Sequence, residues 1–342
     1  MASEAPPFWW QKPDWRAYAL YPASAVYAAV ARRRMTNARR EKIDIPVLCV
    51  GNFTVGGAGK TPVAIALAKQ AKRMQLSPGF LSRGFGGSFA APHVVDAHHD
   101  SARHVGDEPL LLAEHAPVAV TPDRAAGARL LASRGCDIVI MDDGFQSARI
   151  HMDYALLVID GRRGVGNGHI IPGGPVRAPL IHQLRFAQGL LKIGEGDAAN
   201  HIIRMASRAG RPVYEAHNEI RDPGQFSGRR FLAFAGIGDP EKFFQTVRDA
   251  DGAVETTRTF PDHHFFSKDD LADLAATAKG QGLELVTTTK DAVRLRTGNA
   301  HEREFAANLD VLEIDLVFEI DHTPRAIIEA TLKEWRERRH KS

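Results

Sequence analysis

Cysteine is scarce in this chain: Cys49 and Cys136 are the only two among 342 residues. Each lies in or beside an apolar run, where a thiol is expected to be buried as a small hydrophobic group rather than paired. The scarcity argues against a disulfide-stapled fold and favours a reducing, cytosolic compartment.

Net charge is also small. The 44 Lys and Arg residues exceed the 41 Asp and Glu residues by three, which is too little to predict wholesale binding to nucleic acid. The sequence has no internal repeat or low-complexity tract, and its 44% hydrophobic and 25% charged residues are typical of a soluble globular protein. At this length two domains are expected, and nothing in the sequence indicates an obligatory protein partner.

A long uninterrupted hydrophobic run is missing as well. The most apolar stretch, Ala17 to Ala31, has 15 residues and contains Pro22, whereas a spanning helix needs roughly 20. Residues 32–34 are arginines that follow this stretch, the reverse of a signal peptide. Residues 1–42 hold eight Lys or Arg and three Asp or Glu. This composition indicates an amphipathic element in a membrane interface; the alternative is a helix whose aromatics pack on the core and whose arginines are solvated.

Strand-like and helix-like segments alternate through the rest of the chain. The runs "IPVLCVG", "PGFLS", "APVAV", "CDIVIMD" and "YALLVID" predict strands, and "DRAAGARLLASRG" predicts a helix between two of them. A second series begins at "RRFLAFAGIGDPEKFF" and includes "LELVTTTKDA" and "VLEIDLVFEI" as strand signals. Such alternation predicts an α/β fold with a mostly parallel sheet covered on both faces.

The stretch "GNFTVGGAGKTP" stands between the strand "IPVLCV" and the helical segment "VAIALAKQAK". It matches the P-loop pattern G-x-x-x-x-G-K-[ST] except that Thr54 occupies the first glycine position. Backbone amides of such a loop surround a phosphate, Lys60 would reach the β- and γ-phosphates, and the Thr61 hydroxyl would ligate Mg²⁺. The alternative is a glycine-rich turn with a lysine by chance. The predicted nucleotide-binding residues are Thr54, Val55, Gly56, Gly57, Ala58, Gly59, Lys60 and Thr61.

A P-loop also needs an acidic metal ligand at the end of a neighbouring strand. Asp142 and Asp143 end one candidate strand and Asp160 ends another. We expect the paired aspartates to hold the metal and Asp160 to anchor its loop. Because the segment "TTTKDA" does not fit the N-K-x-D signature of guanine binding, ATP is the expected nucleotide.

Transfer of a phosphate to a hydroxyl needs a base and cations on the acceptor side. "HVGDEP" supplies Asp107 and Glu108, and "FPDHHFF" supplies His263. A carboxylate and an imidazole that meet across a cleft could activate a hydroxyl, although an Asp-Glu pair is also a common helix cap and a His-His pair is commonly exposed. Arg124 and Arg83 could neutralise phosphate charge, unless they are simply solvated or salt-bridged.

Taken together and in this order, eight motifs resemble the tetraacyldisaccharide 4'-kinase family, the lipid A 4'-kinases. They are "VGNFTVGGAGKTP", "LSRGFGG", "VGDEP", "DDGFQ", "NGHIIPGGPVR", "FAGIGDPEKFF", "FPDHHFF" and "TTKDAVRL". The resemblance runs from about Phe8 to the end of the chain. It implies transfer of the ATP γ-phosphate to the 4'-hydroxyl of a tetraacylated glucosamine disaccharide 1-phosphate, giving lipid IVA. The implied place of action is the cytoplasmic face of the inner membrane, with peripheral, monotopic attachment.

The resemblance also implies roles for single residues. Asp107 is implied as the catalytic base with His263 as its partner, and Asp142 and Asp143 are implied at the metal and nucleotide site. Candidate contacts to substrate or phosphate are Glu108, Arg124, Gln146, Arg83 and Arg177. The expected cofactors are ATP and Mg²⁺, and the expected partners are the acylated disaccharide lipid and the membrane surface.

The family's two-domain organisation implies how this chain is divided. We expect residues 1–42 to form the N-terminal amphipathic membrane-associating segment. Residues 43–205 would form the P-loop NTPase-like kinase domain, with a Gly/Pro-rich loop or linker at 160–179. Residues 206–342 would form a second, smaller α/β domain that contributes His263 and whose last helix packs back on the first domain.

Two positions depart from the family pattern. Ala178 follows Arg177 where a glutamate is common, so any role of that glutamate is absent or supplied elsewhere; Phe85 stands where a tyrosine is common.

Two other functions stay open at this point: a P-loop ATPase that drives a partner protein at the membrane, and a non-catalytic nucleotide-binding membrane module.

Overall fold

The computed structural model describes residues 5–84, 89, 91–147 and 149–341. Within these residues the chain forms two β-sheets with helices packed around them. The strands are β1 (Val47–Asn52), β2 (Pro78–Ser82), β3 (His93–Val94), β4 (Val118–Val120), β5 (Ile138–Asp142), β6 (Tyr154–Asp160), β7 (Gly189–Ile193), β8 (Val213–Ile220), β9 (Arg230–Ala235), β10 (Ala253–Thr259), β11 (Glu284–Thr288), β12 (Asp310–Leu312) and β13 (Ile314–Phe318). The helices are α1 (Trp15–Ala19), α2 (Tyr21–Asn37), α3 (Lys60–Arg73), α4 (Ala102–Val105), α5 (Asp107–Ala113), α6 (Arg124–Ser133), α7 (Leu180–Phe186), α8 (Asn200–Arg208), α9 (Pro240–Asp249), α10 (Lys268–Gln281), α11 (Thr289–Arg296), α12 (Ala300–Ala306) and α13 (Thr323–His340).

The large sheet has the strand order β13-β8-β7-β6-β1-β5-β2-β4-β3. Its strands from β8 to β4 are mutually parallel, and β13 and β3 are antiparallel to their neighbours at the two edges. The central strands are continuous apolar runs because helices cover both faces of the sheet. The five strands that the sequence predicts in this half of the chain are confirmed as β1, β2, β4, β5 and β6.

Helix α3 shows how the sequence pattern places an element on this sheet. Val63, Leu67 and Ala71 recur every four residues and are fully buried, so one stripe of the helix packs on the strands. The helix begins at Lys60, directly after Gly59 in a left-handed conformation. The loop before it is therefore held at the carboxyl end of β1, in the middle of the sheet.

The small sheet has the strand order β10-β9-β11-β12, and its strands are parallel. Successive residues of β9 alternate between two apolar clusters, with Phe231 and Ala233 on one face and Leu232 and Phe234 on the other. Both faces of β9 are therefore covered, which accounts for the uninterrupted apolar run "FLAFA".

Sheet membership divides the chain differently from the expected boundary at residues 205 and 206. Strands β8 and β13 both belong to the large sheet, so the small sheet is built only from the chain between them. The run "VLEIDLVFEI", which reads as a single strand in the sequence, breaks at Glu313 into β12 of the small sheet and β13 of the large one. We propose that the second domain comprises the chain between β8 and β13.

The last helix, α13, packs on α3 of the large-sheet domain. Arg338 pairs with the buried Asp153 at 2.7 Å, and the indole of Trp335 donates to the carbonyl oxygen of Asp44. Through these contacts the C-terminal helix packs against the first domain.

The N-terminal segment is partly buried and partly exposed. Phe8 and Trp9 are buried, the Trp9 indole donates to the carbonyl oxygen of Pro172, and Met35 lies in the core beneath the large sheet. Trp15 and Tyr18, by contrast, are largely exposed. The interpretation that aromatics pack on the core therefore holds for Phe8 and Trp9. The membrane-interface interpretation stays a prediction for the exposed residues. A search of the described residues for a helix with the length and apolarity to cross a membrane finds none.

Candidate active site

The glycine-rich loop connects β1 to α3 at the carboxyl edge of the large sheet. Gly56 and Gly59 have φ angles of +100° and +80°, which only glycine adopts without strain. A Cβ atom built on Gly57 would have no heavy atom within 4 Å, so this side of the loop is open. The loop has the open backbone cradle that a phosphate group requires.

Thr54 departs from the motif at a position where the structure does not need glycine. It forms a β-bridge with Val176 of the Gly/Pro-rich loop, and the amide of Val55 donates to the carbonyl oxygen of Pro175. The backbone of Thr54 is therefore extended and paired, so the side chain costs nothing here.

Asp142 lies beside the first residues of α3. It ends β5, which pairs with β1, and the Thr61 hydroxyl donates to its Oδ2 at 3.1 Å. Its second oxygen, Oδ1, is buried and has no hydrogen-bond partner among the described residues. Burial, followed by the negative charge of Glu108, raises the pKa of Asp142 to about 7. A buried carboxylate with one unused oxygen next to a threonine hydroxyl fits a Mg²⁺ site, because a hard cation would stabilise its charge.

Asp143 has different neighbours. Both of its oxygens accept from Arg177, at 2.6 and 3.0 Å, and the Lys60 ammonium lies 3.6 Å from Oδ2. Burial alone would raise the pKa of Asp143, but Lys60 and Arg177 outweigh burial and hold it well below the usual range. In this conformation Asp143 pairs with two cations, and its expected metal role stays a prediction.

The other flanking aspartate, Asp160, accepts from the backbone amides of Arg162 and Arg163 and lies 3.2 Å from the ammonium of Lys242. It thus organises the start of its own loop and contacts α9.

Three predicted phosphate or substrate contacts surround the loop. Arg124 is buried, donates to the carbonyl oxygens of Thr121 and Asp143, and has a pKa lowered to about 10 by burial. The Gln146 amide donates to the carbonyl oxygen of Asn52 at the end of β1. Arg83 is exposed and close enough to Arg124 to contribute to its lowered pKa.

The structure describes only one of the two positions that depart from the family pattern. Phe85 lies outside the described residues. Ala178 is fully buried, and its carbonyl oxygen accepts from the side chain of Gln183, which is itself fully buried. At position 178 the chain therefore contributes a carbonyl to an internal contact.

Asp107 and His263 meet across the two sheets. Asp107 is the first residue of α5, His263 follows β10, and the imidazole Nδ1 lies 3.1 Å from the carboxylate Oδ2. The second oxygen of Asp107 accepts from the amide of Glu108. Burial would raise the pKa of Asp107, but the hydrogen bond to His263 and the charges of Lys290 and Arg294 hold it well below the usual range. The same hydrogen bond raises the pKa of His263 above its ordinary value.

Glu108 joins this pair to the phosphate loop. Its Oε1 lies 2.5 Å from the ammonium of Lys290, and the charges of Lys290 and then Lys60 lower its pKa despite burial. Glu108 also contributes to the raised pKa of Asp142. Because the interaction between two charges weakens with distance, these effects on the pKa values of Glu108 and Asp142 indicate that the start of α5 lies close to the cradle and to the candidate metal ligand.

Sequence reasoning missed the charged residues at the start of α11. It used "TTTKDA" to exclude guanine and "TTKDAVRL" as a family motif but assigned no role to its charged residues. In the structure Lys290, Asp291 and Arg294 are all turned toward α5 or toward one another. The available signal was the density of charge immediately after a buried strand. Their partners could not be read from it, because those partners lie in other segments of the chain.

A glycine-rich loop between a central parallel strand and a helix, with an aspartate at the end of the adjacent strand, defines a P-loop nucleotide-binding protein of the α/β class. Residues 16–333 match the family model described as tetraacyldisaccharide-1-P 4'-kinase. The chain therefore belongs to that family, and it is a kinase. The expected family, fold class and enzyme class are thereby confirmed.

Curated relatives extend the match over the whole chain. A protein named tetraacyldisaccharide 4'-kinase from Mesorhizobium japonicum is 68% identical, with 100% of both chains covered. The protein of the same name from Sinorhizobium fredii is 58% identical, covering 99% of this chain and 98% of that one.

Among solved structures, the fold resembles that of LpxK from Aquifex aeolicus, crystallised in complex with ATP in a form described as apo. The two chains are 24% identical with a TM-score of 0.72, and the similarity covers 92% of this chain and 99% of that one.

Proposed function

We propose that this chain transfers the γ-phosphate of ATP to the 4'-hydroxyl of a tetraacylated glucosamine disaccharide 1-phosphate, forming lipid IVA. The observation that carries the proposal is the contact between Asp107, at the start of α5, and His263, after β10, with α5 packed against the helix α3 that begins at Lys60. Family membership supports the acceptor, since the relatives are named for that substrate.

The phosphate loop binds and orients the nucleotide. Amides of the loop and the N-terminus of α3 surround the phosphates, and the nearly buried Lys60 adds a positive charge. Arg124 and Arg177 already meet at Asp143, so they lie where a triphosphate would find cations. We expect incoming phosphate oxygens to take over part of the charge pairing that Asp143 now provides.

Thr61 and Asp142 would hold Mg²⁺, which when bound would neutralise charge on the phosphate oxygens. The unused Oδ1 of Asp142 is the atom of this chain best placed to accept a cation.

The Asp107–His263 pair serves as the base for the sugar hydroxyl. Asp107 is ionised at neutral pH because its pKa is low, and its negative charge keeps the imidazole of His263 oriented toward it. As the hydroxyl oxygen bonds to the γ-phosphorus, the bond from that phosphorus to the β–γ bridging oxygen breaks and ADP leaves with the electron pair. The hydroxyl proton passes to the Asp107–His263 pair, so no free alkoxide forms. The contact spans the two sheets, so the base is complete only when they lie together.

A transfer assay tests the proposal directly. The purified chain, with no other protein added, is given γ-³²P-labelled ATP and the tetraacyldisaccharide 1-phosphate in mixed micelles, and labelled lipid is separated from phosphate. We expect lipid labelling by wild type and its loss in Lys60→Ala, Asp107→Ala and His263→Ala. Matched controls are Lys69→Ala, on the same helix as Lys60, and His217→Ala, whose imidazole pairs with Glu319.

The outcomes separate the alternatives. Lipid-independent release of phosphate that survives Asp107→Ala would favour the ATPase that drives a partner protein. Tight ATP binding with neither labelled lipid nor released phosphate would favour a non-catalytic module.

We also propose that the chain attaches peripherally to the cytoplasmic face of the inner membrane through its N-terminal segment. Trp15 is 76% exposed, and Tyr18, Tyr21, Val26 and Val30 are also well exposed. The arginines at 32–34 follow on α2. An exposed aromatic and aliphatic surface beside cationic side chains suits the headgroup region of an anionic bilayer.

The structure dictates how the attachment should be tested. Deleting residues 1–34 would remove the buried Phe8 and Trp9 and disturb the fold, so point substitutions are preferable. We expect the double variant Trp15→Glu, Val26→Glu to lose sedimentation with phosphatidylglycerol-containing liposomes while its melting temperature is unchanged. Ile320→Glu, at an exposed apolar residue outside this segment, is the control. Unchanged sedimentation of the double variant would contradict the proposed attachment.

A further inference from the structure

Arg294 and Asp291 form a buried ion pair on α11, and neither residue has a role in the reaction proposed above. Both side chains are almost completely buried, and Nη2 of Arg294 lies 3.2 Å from Oδ1 of Asp291. Asp291 also accepts from the hydroxyl of Thr288 and from the amide of Gly236 at the end of β9. These contacts hold the ion pair in place within the second domain.

Arg294 continues from this anchor to the loop that carries His263. Nη1 donates to the carbonyl oxygen of His264 at 2.7 Å, and Nη2 donates to the carbonyl oxygen of Gly236 at 2.8 Å. The same Gly236 oxygen accepts from the amide of His263 at 3.1 Å. One guanidinium therefore contacts two carbonyl oxygens, that of His264, the residue after His263, and that of Gly236, which also accepts from the His263 amide.

This backbone needs such support. His263 has φ of +59°, in the left-handed region that a residue with a Cβ occupies only at a cost in free energy. The surrounding contacts must therefore hold it there. They leave little space: a Cβ atom on Gly236 would lie 3.2 Å from atoms of Arg294, Asp291 and His264.

The remaining nitrogen of Arg294 faces the first domain. Its Nε lies 3.3 Å from Oδ2 of Asp107, the same oxygen that faces Nδ1 of His263. Arg294 is therefore in contact with the carboxylate and with the loop of its imidazole partner at the same time. An ion pair needed only for the stability of the small sheet would have no reason to extend across to α5.

We propose that Arg294, held by Asp291, is a positioning residue that sets the geometry of Asp107 and His263 relative to each other. This inference rests on the phosphotransfer function proposed above. Arg294 acts through the pair: it restrains the His263 loop through the carbonyl oxygen of His264 and through the Gly236 carbonyl that accepts from His263. Its Nε has no hydrogen-bond partner among the described residues, so its contact with the Asp107 carboxylate is by charge. Arginine suits this task because its planar fork combines fixed donors and a permanent charge.

The experiment compares Arg294→Met and Arg294→Lys with wild type in the lipid transfer assay. Since a small misplacement of reacting groups can cost about 100-fold in rate, we expect kcat to fall about 100-fold in Arg294→Met, with the KM for ATP changed by no more than about twofold. Arg294→Lys keeps the charge but loses the fork, so its kcat should lie between the two. The control is Arg229→Met, which removes a guanidinium that pairs with Glu284 and Asp310 at the edge of the same small sheet.

The pH dependence of kcat provides a readout that a purely structural role would not move. Among the described residues, His263 and Arg294 contact Asp107, and the charge of Lys290 acts on it. Around these groups, Asp262 lies 3.8 Å from His263, Asp291 pairs with Arg294, and Glu108 pairs with Lys290. Removing one cation from this set raises the pKa of Asp107, so the acid limb of the profile should move to higher pH in Arg294→Met and less in Arg294→Lys.

The results also distinguish this inference from the function on which it rests. Asp107→Ala and His263→Ala are assayed alongside. If both abolish transfer while Arg294→Met keeps a kcat within about threefold of wild type and an unmoved acid limb, the positioning role is wrong and the function stands. If Asp107→Ala transfers normally, the function itself fails. Should Arg294→Met not fold, Arg294→Lys decides: wild-type kcat and wild-type pH profile in that variant overturn the inference.

Discussion

The phosphate cradle and the cross-sheet pair are assembled in opposite ways. The cradle is contiguous, residues 54–61, and uses backbone amides together with one lysine and one threonine side chain. Asp107 and His263 are 156 positions apart and use side chains from segments that pack around different sheets. The cradle therefore depends on local conformation, whereas the pair depends on how the two sheets meet.

This contrast predicts different kinetic consequences for damage at the two places. Changes in the cradle should affect the handling of the nucleotide phosphates, whatever the acceptor. Changes at the cross-sheet pair should leave nucleotide binding intact and slow transfer to the hydroxyl. The strongest tests measure both nucleotide binding and the rate of transfer in one variant, because a change in the cradle and a change at the pair should affect them differently.

The largest effect is expected for Lys60→Ala. Lys60 is a nearly buried cation beside the cradle, so its removal should lower kcat by about 1000-fold through lost stabilisation of charge on the transferring phosphate. Steady-state transfer assays measure the fall. Lys69→Ala, one turn or more away on α3 and paired with Asp315, should remain near wild type. A Lys60→Ala enzyme with more than a tenth of wild-type activity would contradict the assignment of this loop.

Asp107→Asn should come next. The amide cannot accept the hydroxyl proton, and loss of a general base costs about 100- to 10,000-fold in rate. ATP affinity, measured by equilibrium binding, should stay within about threefold of wild type, because no atom of the cradle changes. The matched control is Asp100→Asn, which disrupts another Asp–His contact, that between Asp100 and His93. If ATP affinity fell as steeply as kcat, the two regions would not be separable.

The cradle could be predicted from sequence almost completely, because its information is local. A strand, a glycine-rich loop and a helix follow one another, and even the exception at Thr54 has a local explanation in its bridge to Val176. The alternation of strands and helices predicted the large sheet for the same reason. For Asp107 and His263 the sequence alone offered only a carboxylate and an imidazole that could meet across a cleft, and the family resemblance supplied their roles.

The sequence could not predict features that depend on contacts between residues far apart in the chain. The break at Glu313, where the chain leaves one sheet for the other, has no hydrophobic signature, since both sides are apolar. Asp142 and Asp143 are adjacent and chemically identical in sequence, yet one has an unused buried oxygen and the other is paired with Arg177. Arg294 could not be distinguished from a surface arginine until its four neighbours were known.

Asp142→Asn tests the cradle side of the comparison with an intermediate effect. Loss of the charged oxygen at the candidate cation site should raise the Mg²⁺ concentration for half-maximal activity by about tenfold or more. Calorimetric titration of Mg²⁺ in the presence of a non-hydrolysable ATP analogue provides a readout independent of turnover. Asp137→Asn, just before the start of the same strand, is the matched control. An unchanged Mg²⁺ requirement would leave Asp142 without a metal role.

The smallest effect is expected in the pH dependence of stability, and it concerns the cross-sheet contact alone. The pKa of His263 is raised in the folded protein, so its contribution is fully present below its unfolded value of about 6.5 and is lost as pH rises through the raised pKa. Asp107 has the opposite sign: its lowered pKa gives a contribution that is present above about 3.9 and is lost as pH falls. Both contributions are therefore fully present between about pH 4 and 6.5; that of His263 declines above this range and that of Asp107 below it.

Thermal or urea unfolding at a series of pH values from 6 to 9 measures the His263 contribution. Because the imidazole is partly exposed, we expect His263→Gln to reduce the loss of unfolding free energy over this range by less than about 1 kcal/mol relative to wild type. The variant Asp107→Asn should remove most of the same pH dependence, since the imidazolium then loses its nearer carboxylate and keeps only the weaker influence of Asp262 at 3.8 Å. The double variant should remove no more than His263→Gln alone. If the single effects added in full, the two residues would titrate independently, and the contact between the sheets would not be the source of the pH dependence.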